Sequence, residues 1–235
     1  MHCNFFGSGE QTIVYLHGWG TNGECFLPTV RFLPHFYNVM PDFNGFGRSP
    51  MPPTSGWTVA DYAEAVRMLF LQYNIQHATI VAHSFGCRVA AVLAATYPHL
   101  CEKMLFFAPA GLRAVSVKRW FKVAAYKVAK GFRRLTGGSL PTDCGSADYK
   151  ACPMALKNTF VKVVNGDLKP YLRRVPCRVL VVNGRDDTET TLRHAKRLSG
   201  MLPHGCLQAI DGDHFVLFYS PTAFARLITT FVREG

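Results

Sequence analysis

Ser84 is the residue whose surroundings most clearly suggest chemistry. It is the centre of the segment A-H-S-F-G, which follows the apolar run 78–82 and precedes a helical pattern that begins at Phe85. A strand-to-helix turn this sharp needs small neighbours and leaves the central hydroxyl exposed at the carboxyl end of a sheet. The usual first glycine of the pattern is replaced here by Ala82, which adds one methyl group. The alternative is an ordinary strand–helix junction in which Ser84 only caps the helix.

A serine hydroxyl is a poor nucleophile at neutral pH, so it needs a base, and the base needs a group that orients it. Two later segments could supply these groups. V-V-N-G-R-D-D at residues 181–187 ends an apolar run in a glycine turn with carboxylates, and D-G-D-H-F at residues 211–215 precedes the last helical pattern. We expect His214 to act as the base and one of two adjacent carboxylates, Asp187 or Asp186, to orient it.

A tetrahedral intermediate also needs hydrogen-bond donors for its oxyanion. The turn H-G-W-G at residues 17–20 follows the first strong apolar run, and its glycines let the backbone approach a reacting centre. We expect the backbone N–H groups of Trp19 and Phe85 to form the oxyanion hole. His17 is a rival for the base, but its early position in the chain favours a role in bracing the loop. The residues expected around the substrate are His17, Gly18, His83, Trp120, Phe121 and Phe215.

These groups need a scaffold, and the hydrophobic pattern predicts one. Short apolar runs alternate with amphipathic stretches, which is typical of a parallel sheet covered by helices. The expected strands are 12–16, 37–41, 78–82, 104–108, 178–183 and 206–210, and the expected helices are 59–73, 85–97, 188–199 and 221–233. About seventy residues separate the fourth and fifth strands, far more than a usual connection.

This long connection between the fourth and fifth expected strands begins with a strongly basic stretch. The net charge of the chain is +11, and no Asp or Glu occurs between Lys103 and Thr142. Residues 115–135 fit an amphipathic helix with Trp120 and Phe121 on its apolar face, so we expect a lid over the pocket. The charges are either solvated or attract an acidic partner, namely a carrier protein, a coenzyme A thioester or an anionic membrane surface. Nucleic acid is not expected, because the charge is confined to one segment and no binding module is recognised.

Five motifs follow one another along the chain. They are H-G-W-G at 17–20, P-D-F-N-G-F-G-R-S at 41–49, A-H-S-F-G at 82–86, V-V-N-G-R-D-D at 181–187 and G-D-H-F at 212–215. In these motifs the chain resembles the α/β-hydrolase superfamily over essentially its whole length. The resemblance implies an α/β-hydrolase fold, with a mostly parallel sheet and helices on both faces. The core is expected at residues 1–111 and 173–235, and an inserted helical lid at residues 112–172. In the family the acid stands three residues after the glycine of the fourth motif, which is Asp187 here.

The elbow serine also indicates the reaction type. Similar folds that open epoxides or displace halide carry an aspartate at this position, whereas serine implies acyl transfer to water. We therefore expect a serine hydrolase that cleaves an ester or thioester of a small or acyl-chain substrate through an acyl-enzyme intermediate. A C–C bond hydrolase or lyase on the same scaffold and a non-catalytic receptor are the alternatives. A basic lid with H-G-W-G also resembles esterases that cleave the methyl ester of a carrier-bound pimeloyl chain.

Other features of the sequence bear on cofactors and on the location of the protein. No cofactor and no metal are expected, because the usual fingerprints for metals, nucleotide phosphates and dinucleotides are absent from the sequence. Residues 1–7 lack the charged start and apolar run of a secretory signal, and no apolar stretch reaches the length of a membrane span. A cytoplasmic location is therefore expected.

Overall fold

The computed structural model describes residues 1–112 and 147–234. Its centre is a seven-stranded sheet with the spatial order β1-β3-β2-β4-β5-β6-β7. The strands are β1 Cys3–Phe6, β2 Thr12–Leu16, β3 Tyr37–Pro41, β4 Ala78–His83, β5 Cys101–Phe107, β6 Arg178–Gly184 and β7 Gly205–Ile210. β1 runs antiparallel to β3, and all other neighbours are parallel. The sheet is therefore mostly parallel, as the sequence predicts.

The central strand β4 is buried along its whole length, which explains why its sequence lacks polar alternation. Its register places Ala82 beside Leu16 of β2 and beside Phe106 of β5. β6 and β7 continue the same direction, with Gly184 beside Ile210. The carboxyl ends of the parallel strands therefore meet at one edge of the sheet, where the loops with the candidate site residues begin.

Helices cover both faces of the sheet. They are α1 Leu27–Val30, α2 Val59–Gln72, α3 Phe85–Thr96, α4 Ala147–Ala151, α5 Lys157–Asn165, α6 Lys169–Leu172, α7 Leu192–Ser199, α8 Val216–Tyr219 and α9 Pro221–Arg233. Apolar side chains of α2, α3, α5, α6 and α7 belong to one core, and those of α1, α8 and α9 belong to the core on the opposite face. This three-layer arrangement is the one that the alternating sequence pattern predicts.

Several elements differ from the prediction: β5 starts three residues earlier than predicted, and the short helices α1 and α8 were not predicted. The antiparallel edge strand β1 was not predicted, because it is short, partly exposed and without a long apolar run. The helix predicted at 188–199 starts four residues later, at Leu192. The reason is local: the backbone N–H groups of Glu189 and Thr190 donate to the side chain of Asp187, at 2.8 Å each, so this stretch turns around a carboxylate instead of forming a helix.

The second half of the expected insertion contains α4, α5 and α6. Phe160 of α5 and Leu172 of α6 belong to the same core as the buried residues of α2, α3 and α7. Its first half, including the basic helix predicted at 115–135 with Trp120 and Phe121, lies outside the described residues. In the described part of the chain, no helix has both the length and the apolar character that a membrane crossing requires.

Candidate active site

The turn around Ser84 has the geometry of a nucleophile elbow. Ser84 has φ 47° and ψ −106°, a strained conformation for a residue with a side chain, and it directly precedes α3. Its N–H donates to the carbonyl of Phe107 at 3.0 Å, which ties the turn to β5. Gly86 is required here, because a Cβ at this position would lie 2.1 Å from the carbonyl oxygen of Leu16. Ala82, in place of the usual glycine, is fully buried and fits this turn.

Asp187 and His214 form a buried pair at the same edge of the sheet. Nδ1 of His214 lies 2.8 Å from Oδ2 of Asp187, and both side chains are almost inaccessible. The hydroxyl of Thr190 donates to the same Asp187 oxygen at 2.8 Å. Burial alone raises the pKa of Asp187, but the hydrogen bonds from His214 and Thr190 outweigh it and hold the pKa below its usual value. The carboxylate is therefore kept ionised against the ring, while Asp186 is exposed to solvent.

Two glycines bring the loops of this pair together. A Cβ on Gly184 would lie 2.2 Å from the carbonyl oxygen of Gly212, so only glycine lets the end of β6 approach the loop after β7 so closely. Gly212 has φ 123°, a conformation that other residues rarely adopt. The N–H of Asp186 donates to this same Gly212 carbonyl at 3.0 Å. The backbone thus fixes the separation of the Asp187 and His214 loops.

His83 connects the serine turn to the histidine loop. Its ring lies 5.0 Å from the His214 ring, centroid to centroid, and its Nε2 lies 3.4 Å from the backbone carbonyl of His214. Within residues 1–112 and 147–234, no hydrogen bond joins Ser84 to the His214 ring. Hydrogen bonds of this kind are often long in unliganded enzymes and shorten when substrate binds. The structure therefore places the predicted serine, acid and base in one neighbourhood.

The two predicted oxyanion donors belong to backbone segments that adjoin Ser84. Phe85 is the first residue of α3, so its N–H has no acceptor within the helix. Among the described residues, no backbone acceptor is found for the N–H of Trp19 either. A Cβ on Gly18 would lie 3.6 Å from the Cβ of Ser84, which shows how closely the H-G-W-G backbone approaches the serine. Neither amide has a backbone acceptor among the described residues, as a donor to an oxyanion requires.

His17 supports the loop instead of facing the site. It is fully buried, its Nε2 accepts the N–H of Phe43 at 2.9 Å, and its Nδ1 donates to the carbonyl of Gly18 at 2.7 Å. Burial lowers the pKa of His17 to about 4, so the ring stays neutral. These contacts match the bracing role considered for His17, which rivalled the role of base.

The other residues expected around the substrate fall into different environments. Gly18 and His83 are buried, and Phe215 is 37% exposed beside the His214 ring. Burial, together with the nearby His214, lowers the pKa of His83 to about 3. Trp120 and Phe121 lie outside the described residues. Of the described members of this set, Phe215 is therefore the most exposed side chain.

Four aromatic side chains, here called the aromatic wall, pack together beside Ser84. This cluster was not predicted from the sequence. The Trp19 ring packs against those of Phe46, Phe85 and Phe160, with centroid distances of 4.9, 5.3 and 5.2 Å. Next to this wall lies a cavity of about 400 Å³, lined by residues that include Trp19, Phe46, Cys152, Pro153 and Leu156. Phe160 comes from the insertion and is more than seventy residues from Phe85, so no local sequence pattern could have indicated the contact.

Glu189 is a second carboxylate near the histidine that the sequence reasoning also missed. Its Oε2 lies 3.6 Å from Nε2 of His214, the ring nitrogen opposite Asp187. Its place in D-D-T-E-T-T, two residues after Asp187, was the available signal. In the described part of the chain, no group of three or more His, Cys, Asp or Glu side chains is arranged so that it could hold a metal ion.

A parallel sheet whose central strand ends in a strained serine turn, with a His–Asp pair on the neighbouring loops, defines a known class of hydrolytic enzymes. Residues 11–150 match the family model described as alpha/beta hydrolase fold. The chain therefore belongs to the α/β-hydrolase family and is an enzyme, a hydrolase.

Curated relatives and solved structures agree with this assignment. The chain is 27% identical to a 2-hydroxy-6-oxo-6-phenylhexa-2,4-dienoate hydrolase of Burkholderia cepacia, over 100% of this chain and 92% of the relative. It is 25% identical to a 2-(acetamidomethylene)succinate hydrolase of Mesorhizobium japonicum, over 96% and 89%. The crystal structure of the enol-lactonase from Burkholderia xenovorans superposes with a TM-score of 0.76 at 21% identity, covering 99% of this chain and 96% of that one, and so supports the fold.

Proposed function

We propose that the protein is a serine hydrolase that cleaves an ester or thioester through an acyl-enzyme intermediate. His214 takes the proton of Ser84 through Nε2, and the Ser84 oxygen attacks the carbonyl carbon of the substrate. The N–H groups of Trp19 and Phe85 stabilise the oxyanion that forms. The protonated His214 then gives its proton to the leaving group. A water molecule activated by the same nitrogen releases the acid and regenerates Ser84.

The observation that carries this proposal is the buried contact of 2.8 Å between His214 Nδ1 and Asp187. It orients the ring so that Nε2 is the nitrogen that transfers the proton, and it stabilises the positive charge that the ring gains. The strained φ of Ser84 supports the proposal independently, because such backbone strain is typical of functional sites. A helix-capping serine would not need this conformation.

The aromatic wall supports a substrate with an apolar acyl or alcohol part. Trp19 and Phe46 line the cavity of about 400 Å³, a volume suited to a small ligand. Among the described residues, Ser84 and His214 do not line it, and the link to the serine turn is Trp19, which packs on Phe85. Residues 112–172 are proposed as a lid over this cavity, because Leu156 lines it and Phe160 packs on Trp19. The hydroxyl of Thr159 accepts the N–H groups of Gly56 and Trp57, at 3.1 and 3.0 Å, and so ties α5 to the core.

A panel of p-nitrophenyl esters and acyl thioesters of graded chain length tests the proposal. The wild type should hydrolyse at least one member, and Ser84→Ala should lose about three or more powers of ten in kcat with an unchanged circular dichroism spectrum. His214→Gln should lose a similar factor. Near-normal ester hydrolysis by a folded Ser84→Ala variant would contradict the proposal.

Hydrolysis of a C–C bond is a second candidate, and the named dienoate hydrolase among the relatives favours it. In that case Ser84 and His214 direct proton transfers, and a stable acyl-enzyme is not required.

Quenching the reaction with a slow ester substrate distinguishes ester hydrolysis from C–C bond hydrolysis. An acyl group recovered on Ser84 supports ester chemistry, whereas turnover of a vinylogous 1,5-diketone with no trapped adduct supports the C–C reaction.

A further inference from the structure

The carboxylate of Glu189 faces Nε2 of His214, the nitrogen proposed to take the proton of Ser84. Its Oε2 lies 3.6 Å from Nε2 of His214, while Asp187 contacts Nδ1 on the other side of the ring. The ring is therefore placed between two carboxylates of one loop. Asp187 is completely buried, whereas the Glu189 side chain is 60% exposed, so the two contacts differ in strength.

We propose that Glu189 is a positioning residue, whose carboxylate faces Nε2 of His214 and strengthens this nitrogen as a proton acceptor. The inference rests on the proposed function, because Nε2 is the nitrogen that takes the proton of Ser84. A negative charge at this distance favours the doubly protonated ring, the form that exists while the tetrahedral intermediate is present. The same charge keeps the resting ring protonated to a higher pH, where it cannot act as a base.

The other described groups around the ring do not replace Glu189 in this role. His83, which packs on His214 from β4, is buried and neutral, since its pKa is lowered to about 3. The hydroxyl of Thr190 lies 3.3 Å from Nδ1, on the Asp187 side. Among the described residues, Glu189 is the charged side chain in contact with Nε2.

The test variant is Glu189→Gln, which keeps the shape of the side chain and removes its charge. It should fold, because the backbone N–H of Glu189, not its side chain, donates to Asp187. Asp211→Asn is the matched control: it removes one charge from the neighbouring loop, where Asp211 is 93% exposed and pairs with Arg185 instead of His214. Both variants change the net charge equally.

The first measurement is an NMR titration of the His214 ring, assigned by comparison with His214→Gln, and it needs no substrate. Glu189→Gln should lower the midpoint by roughly 0.2–0.7 of a pH unit, the range given by ion pairs that are mostly exposed. Asp211→Asn should shift it by less than about 0.1. Equal midpoints in all three proteins, or an equal shift in the control, would overturn the proposal.

The second measurement is the pH profile of kcat/KM with the best ester. The acid limb of Glu189→Gln should move to lower pH by the same amount, and its plateau should fall by at most about fivefold, so that the two profiles cross or converge at low pH. A uniform loss at all pH values would indicate a merely structural role and contradict the inference. Failure of the proposed function is recognised separately, since it leaves Ser84→Ala as active as the wild type whatever the titration shows.

Discussion

At the scale of single residues, several polar contacts of the site converge on Asp187, which is paired with His214. Asp187 accepts the N–H groups of Glu189 and Thr190 on one oxygen, and the Thr190 hydroxyl and the His214 ring on the other. A carboxylate held by so many donors cannot rotate away from the ring, so it fixes which nitrogen of His214 carries the proton. Asp186 is exposed and has none of these side-chain contacts among the described residues.

This difference gives a prediction for the two neighbouring aspartates. Asp187→Asn should lower kcat by about 10²–10⁴, because an amide cannot stabilise the charged ring and favours the wrong tautomer. Asp186→Asn should stay within about twofold of the wild type. Steady-state kinetics with one ester checks both variants, and a larger loss in Asp186→Asn than in Asp187→Asn would reverse the assignment of the acid.

At the scale of elements, the start of α3 depends on its contact with the end of β2. A Cβ on Gly86 would lie 2.1 Å from the backbone oxygen of Leu16, which no side-chain movement can relieve. Gly86→Ala should therefore lower the free energy of unfolding by about 2–4 kcal/mol and displace the N–H of Phe85.

Gly166→Ala is the matched control, because its nearest contact would be 3.5 Å and its φ is −59°. It should change the free energy of unfolding by less than about 1 kcal/mol. Urea unfolding of both variants measures the difference. Equal stabilities would mean that α3 does not approach β2 as closely as described.

The junction between the insertion and the core depends on a buried arginine. Arg88 of α3 donates to the carbonyl oxygens of Val163, Gly111 and Gly166, at 2.5, 3.3 and 3.4 Å. It thereby holds the carboxyl end of α5, where a positive charge is favourable.

Arg88→Met should lower the free energy of unfolding by about 2–4 kcal/mol, because it leaves buried carbonyl groups without this donor. Arg48→Met should cost less than about 1 kcal/mol, since Arg48 is 65% exposed in its pair with Glu24. Chemical denaturation checks both. A cost for Arg88→Met no greater than that for Arg48→Met would show that the junction does not depend on this side chain.

Prediction from the sequence succeeded where the signal was local. Apolar runs located β2, β3, β4, β6 and β7 to within about one residue, and the glycine spacing of V-V-N-G-R-D-D indicated Asp187, the residue found against His214. Long-range contacts were not predictable, because they depend on how separate elements meet. The packing of Phe160 on Trp19 and the approach of Glu189 to Nε2 of His214 are of this kind.

At the scale of the whole molecule, buried neutral histidines make stability depend on pH. The pKa of His17 is lowered to about 4 and that of His83 to about 3, chiefly by burial. The unfolded chain takes up these protons near pH 6.5, while the folded protein resists them. Their contribution to stability is therefore complete above pH 6.5 and is lost as the pH falls towards 4.

The slope of this loss should be up to about 1.4 kcal/mol per pH unit for each of the two rings. Replacing His83 by Gln removes one of these protons, so the slope of the unfolding free energy between pH 6 and 4.5 should fall by up to that amount. Urea unfolding at a series of pH values gives both slopes. An unchanged slope in His83→Gln would mean that the ring takes up its proton equally in both states.

The central claim for the molecule is that the fold activates Ser84 as a nucleophile. Labelling with a fluorescent fluorophosphonate, followed by mass spectrometric mapping of the adduct, tests it directly in the wild type and in Ser84→Ala. We predict one adduct per chain, located on Ser84 and absent from the variant. Labelling at another residue, equal labelling of Ser84→Ala, or no labelling of a folded wild type that an excess of reagent can reach would contradict the account.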